Sequence, residues 1–208
     1  MTDTIYWDCG TQRDLADLDG KLYVPGTESI RPRLRRLAET ARERKIPRLC
    51  TVVAHRDGDP DITAGKPDYK TTYPVHCLEG SDGWRQIPET ACARPVEIPR
   101  EPHAARPVRE SLQAYRDEVL IDIAGFDPWT HPALGTFFEI VAPRRVVLYG
   151  VPADRLVAAA LAGLLERGVA VTLVEDALRP FDQRAWEQMK AGWADKPVTW
   201  AKHTEIVG

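Results

Sequence analysis

The turn Gly150 to Leu156, GVPADRL, is where this sequence is best placed to do chemistry. It joins an apolar run, Val146 to Tyr149, to a stretch of helical periodicity, so its backbone N–H groups lie at a helix start. Unpaired N–H groups at a helix start receive anions or carbonyl oxygens. Thiols are the other reactive groups to weigh. The four cysteines, Cys9, Cys50, Cys77 and Cys92, have no CxxC spacing, which predicts reduced thiols; Cys77 and Cys92 read as simply packed.

The elements around that turn are legible. Leu156, Ala159, Ala160, Leu164 and Leu165 recur at helical spacing, Arg167-Gly168 closes the helix, and Val169 to Val174 is a second apolar run. Strand, crossover helix and strand form a right-handed βαβ unit in a parallel sheet, whose ligands sit beyond the carboxyl ends of the strands. Further strands are predicted at Ile5 to Trp7, Leu49 to Val53, Val96 to Ile98, Val119 to Ile123 and Val198 to Ala201. Helices are predicted from Ile30 to about Lys45, from Ala133 to Val141 and from Asp182 to Trp193. Six arginines crowd the first of these, Arg31, Arg33, Arg35, Arg36, Arg42 and Arg44, and read as a solvated face. Arg13 to Gly26 reads as a loop, Arg56 to Pro95 as a long functional loop or lid, and Pro99 to Pro107 as an exposed connector.

Together these predict a doubly wound three-layer α/β sandwich with a mainly parallel sheet, as one domain over residues 1–208. Hydrophobic residues at 43% and charged residues at 28% are ordinary for a soluble globular chain. A net charge of -3 gives no electrostatic case for nucleic acid. No apolar stretch approaches transmembrane length and Met1 to Leu15 lacks the regions of a signal peptide, so a cytoplasmic protein without membrane contact is expected.

Three segments, in order along the chain, carry a resemblance. Residues Tyr6 to Gly26, YWDCGTQRDLADLDGKLYVPG, Tyr73 to Glu89, YPVHCLEGSDGWRQIPE, and Gly150 to Val157, GVPADRLV, are similar to motifs of the isochorismatase-like, nicotinamidase-type cysteine hydrolases. The resemblance implies that fold, a Cys, Asp and Lys acting on amides or vinyl ethers, often a metal near the nucleophile, and assembly into oligomers. Carried over residue by residue, it puts Leu156 where the nucleophilic Cys belongs and Gly10 where the Asp belongs. Ile123 stands at the Lys position, and a one-residue slip to Asp122 or Ala124 supplies no Lys either. A thiolate favoured by a helix N-terminus and a carboxylate relaying a proton are both missing, which predicts that the hydrolysis is lost.

The family's unusual cis peptide in this turn corresponds to Val151-Pro152, and proline lowers the cost of a cis bond to below about 1 kcal/mol. The bond is expected to be cis. Asp8, two residues from Gly10, is expected on the same strand face near the old site, with Cys9 on the other face. Gln12 and Asp14 are expected to hold the loop that follows. The pocket, then, is Asp8, Gly10, Val53, Ile123, Val151, Pro152 and Leu156, more apolar than an active one.

For a metal such as zinc, the resemblance puts His55 and His76 on two ligand positions but Val53 on the carboxylate, with Asp57 or Asp59 as replacements. Two imidazoles make a weak site. Three functions are expected to compete. One is a pseudoenzyme acting as partner or scaffold, in a homo-oligomer or beside an active paralogue. Another is a small-molecule binder in the altered pocket. The last is a hydrolase of amide or vinyl-ether bonds rebuilt on His55, His76 and a nearby carboxylate.

Overall fold

The computed structural model describes residues 3–101, 105–114 and 117–208. Its centre is β1 (Thr4–Cys9), whose apolar side chains are buried on both faces. β2 (Arg48–Val53) pairs with it on one side and β7 (Arg145–Gly150) on the other, both parallel. Beyond β2 lie β6 (Glu118–Ile123) and the short β5 (Val96–Ile98); beyond β7 lie β8 (Ala170–Leu178) and β9 (Val198–Ala201). The order β5-β6-β2-β1-β7-β8-β9 is parallel throughout, as the apolar runs of β2 and β7 require of strands covered on both sides.

The covering helices bury one stripe each. α2 (Thr27–Glu43) turns Ile30, Leu34, Leu37, Ala38 and Ala41 inward. α4 (Pro132–Val141) buries Leu134, Phe137 and Phe138, and Phe138 joins Trp7 and Trp129 in a cluster with ring centroids 5.3–5.6 Å apart. The helix after β7 begins as a π-turn, Ala153–Val157, before α5 (Ala158–Glu166), and α6 (Gln183–Ala191) is capped by the Asp182 side chain.

Several expectations need correction. Arg13 to Gly26 is not all loop: Arg13–Ala16 forms α1. Ala105–Ala114 forms α3, so the last three residues of the expected Pro99 to Pro107 connector are helical; residues 102–104 lie outside the described residues. A proline within the first turn of a helix costs no internal hydrogen bond, which is why Pro107 does not prevent it. His203–Val207 adds α7 after the last strand. The arginines of α2 are not merely solvated, since Arg31 bridges Asp17 and Glu89 at 2.7 and 2.8 Å and Arg42 donates to the Ala91 carbonyl at 2.9 Å. The long Arg56 to Pro95 excursion holds a two-stranded parallel ribbon, β3 (Ile62–Thr63) with β4 (Tyr73–Pro74), and otherwise wraps the carboxyl ends of β1 and β2.

Candidate functional site

The carboxyl ends of β1, β2, β6 and β7 bring Gly10, Val53, Ile123 and Val151-Pro152 to one region, with Leu156 above them on the π-turn. The Val151-Pro152 bond is cis, as the sequence predicts. Val53 and Ile123 are cross-strand neighbours, and both belong with Val151 and Leu156 to the fully buried core. Gly10 has φ +63°, and a Cβ added there would lie 2.1 Å from the Val151 carbonyl oxygen and 3.0 Å from Leu156 Cδ2. No side chain stands at position 10 on this backbone.

Asp8 lies on β1, two residues before Gly10. It is buried, accepts a hydrogen bond from Thr11 Oγ1 at 2.8 Å, and lies 3.3 Å from Arg48 Nη2. Arg48, equally buried, donates to Glu118 at 2.6 Å and to the Thr90 carbonyl at 2.7 Å. Burial pushes the Asp8 carboxyl up to about 6 against the pull of Arg48. Asp8 thus anchors an ionic network that ties β1 to β2 and β6. Cys9 is also fully buried.

Gln12 and Asp14 hold the wrapping loop. The Gln12 side chain donates to the carbonyls of Val53 and Trp84 at 2.8 and 2.7 Å and accepts from the Val53 N–H at 2.7 Å. Asp14 accepts from the Cys77 N–H at 2.7 Å and the Lys21 N–H at 3.2 Å.

His55 and His76 meet as the sequence predicts, both fully buried, with ring centroids 4.6 Å apart. His76 Nδ1 donates to the Pro74 carbonyl at 2.8 Å, which leaves a lone pair on Nε2. Burial, then the neighbouring His55, pull its pKa down to about 4, so it is neutral at neutral pH. His55 Nδ1 lies 3.3 Å from Asp59 and 3.5 Å from Asp61. Neither Nε2 has a hydrogen-bond partner.

Asp59, one of the two proposed replacements, is already engaged. Arg100 grips it with both terminal nitrogens at 2.5 and 3.0 Å, and the Arg56 N–H donates to it at 2.9 Å. Burial works against its charge, but Arg100, the Arg56 N–H and His55 hold the carboxyl down at about 2. Asp57 is exposed and outside the cluster; Asp61, which sequence reasoning did not name as a donor, stands within it. Its signal was its place two residues after Asp59 in the same tight turn. The residues test poorly as a stable zinc site: Asp59 and Asp61 gather at Nδ1 of His55, away from the two unpartnered Nε2 atoms, and Asp59 is already held by a guanidinium.

Sequence reasoning also missed an aromatic group against His76. Tyr73 and Phe126 pack on His76 and Phe181 packs on both of them, with centroids 5.3–6.2 Å apart, and Arg155 Nε donates to the Tyr73 hydroxyl at 3.0 Å. Beyond it, Asp122 accepts from Trp84 Nε1 at 3.2 Å, and burial lifts its carboxyl to about 7.

This arrangement of strands, turn and wrapping loop recurs in solved structures. An isochorismatase-like hydrolase from Alkaliphilus metalliredigens matches with a TM-score of 0.77 at 18% identity, covering 99% of this chain and 97% of that one. The nicotinamidase/pyrazinamidase of Bacillus subtilis matches at 0.75 and 13%, covering 96% and 100%. The pyrazinamidase of Pyrococcus horikoshii, solved in complex with zinc, matches at 0.74 and 16%, covering 96% and 99%. At these identities the likeness is one of fold. No curated protein is close enough in sequence to count as a match. The isochorismatase domain model, however, matches residues 9–195, most of the chain. The chain belongs to the isochorismatase family.

Proposed function

We propose that this chain is a non-catalytic member of its family, one domain over residues 1–208 that serves as a partner or scaffold subunit in a cytoplasmic homo-oligomer or beside an active paralogue. The observation that carries this reading is the packing at Gly10. The position assigned to the proton-relaying Asp is closed by the Val151 carbonyl and Leu156, and its surroundings are buried and apolar. That favours a scaffold over a small-molecule binder, which needs an open cavity with placed polar groups.

The test is turnover of nicotinamide, pyrazinamide and an isochorismate-type vinyl ether by the purified chain, with bound metal quantified on the same sample. The expected result is no turnover above buffer and an oligomer by sedimentation. A second reading, a hydrolase rebuilt on His55, His76 and Asp59, is favoured by the two unpartnered Nε2 atoms. Turnover that disappears in His55→Ala or His76→Ala would establish it and sink the first.

A further inference from the structure

Away from the candidate site, the fold brings one pair of reactive groups together. Cys50 lies in β2, fully buried, and Cys92 lies half-buried in the segment leading to β5. Their Sγ atoms are 3.3 Å apart across 42 residues of sequence. The approach is held along the whole segment. Arg48 donates to the Thr90 carbonyl at 2.7 Å and Arg42 to the Ala91 carbonyl at 2.9 Å. The Cys92 N–H donates to Gln86 Oε1 at 3.1 Å, and the Ala93 N–H donates to Glu118 Oε2 at 2.7 Å. Disulfide sulfurs sit about 2.05 Å apart, so closure asks for roughly 1 Å of movement.

The residue after Cys92, Ala93, lines a cavity of about 710 Å³ whose wall also includes Arg42, Lys45, Arg94, Asp117 and Glu118. Arg48 and Arg42 both pair with Glu118, at 2.6 and 3.7 Å, and Lys45 and Arg94 add two more cations to a wall whose other carboxylate is Asp117. Such a wall concentrates anions. The hydrogen bond to Cys50 and burial push the Cys92 thiol up, while Arg48 works the other way, so the resting pair is a quiet dithiol.

We propose that Cys50 and Cys92 form a thiol–disulfide exchange site whose oxidant is a small acidic disulfide of the glutathione class. Cys92, the more exposed, loses its proton to solvent and attacks one sulfur of that disulfide; the S–S bond breaks and one small thiol leaves, taking up a proton. Cys50 then gives up its proton and attacks the Cys92 sulfur, expelling the second small thiol. Two electrons pass from the protein dithiol to the oxidant, which ends as two thiols.

The test is to treat the folded full chain with glutathione disulfide, then denature, alkylate and weigh it. The expected product has lost two hydrogens, keeps two alkylatable thiols of the original four, and yields a peptide linking Cys50 to Cys92. Its melting temperature should rise by about 5–10 °C. Cystamine, a cationic disulfide, should close the bond at least about fivefold more slowly once each rate is scaled to that with free cysteine. Cys50→Ser should stop at the glutathione adduct on Cys92. Four remaining thiols, a bond to Cys9 or Cys77, an adduct that persists on wild-type Cys92, or cystamine matching glutathione disulfide would each overturn the proposal.

Discussion

At the scale of single residues, the site is governed by contacts that leave no slack. Gly10→Ala should destabilise the fold by about 2–5 kcal/mol, read as a lower urea midpoint, because a left-handed residue would gain a Cβ against a carbonyl oxygen. Leu156→Cys, which only shortens a buried side chain, should cost less than Gly10→Ala in the same measurement. Arg100 sets a second limit. Arg100→Met should free the Asp59 carboxylate to act with His55 Nδ1 and Asp61, and raise zinc affinity at least about tenfold over wild type by equilibrium dialysis. Equal affinities would show that Arg100 does not govern the site. The cis Val151-Pro152 bond was legible because a short motif fixes the local backbone. Arg100 was not, because it meets Asp59 from 41 residues away and only the tertiary fold brings them together.

At the scale of elements, one carboxylate joins two connections. Asp154, buried on the π-turn, accepts from the N–H groups of Phe181 and Asp182 at 2.8 and 3.1 Å and so fastens the exit of β8 to the start of the crossover helix. Asp154→Ala would leave both part-buried donors without their acceptor and should cost about 1–3 kcal/mol by urea unfolding, whereas Asp154→Asn, keeping one acceptor, should cost less. The strands and the long helices were readable from apolar periodicity. α1, α3 and α7 were not: α1 and α7 have 4 and 5 residues, and α3 shows few buried apolar positions to set a period. The π-turn was hidden for another reason, since its side chains have the same pattern as the helix they precede.

At the scale of the molecule, buried ionisable groups pull stability in opposite directions with pH. His76 has a folded pKa near 4, below its ordinary 6.5, so its contribution is complete above pH 6.5 and is lost as pH falls toward 4. His76→Gln should remove that loss from a plot of urea midpoint against pH. Asp122 behaves in the reverse sense: with its folded pKa raised from 3.8 to about 7, its contribution is complete below pH 4 and is lost as pH rises through 7. Asp122→Asn should therefore flatten the neutral side of the same plot, and an unchanged slope would count against the burial assigned to it.

The main chain at Gly10 also bears on reversibility. With the Val151 carbonyl occupying the space a Cβ would need, a carboxylate cannot be put back by exchanging one side chain. On the proposed reading, placing an Asp at position 10, the first step towards an Asp, Lys and Cys set at positions 10, 123 and 156, would require β1 and the Val151-Pro152 turn to separate. If the chain is the non-catalytic member proposed above, a return to hydrolysis would pass through unstable intermediates, and selection for a folded chain alone would keep that route shut.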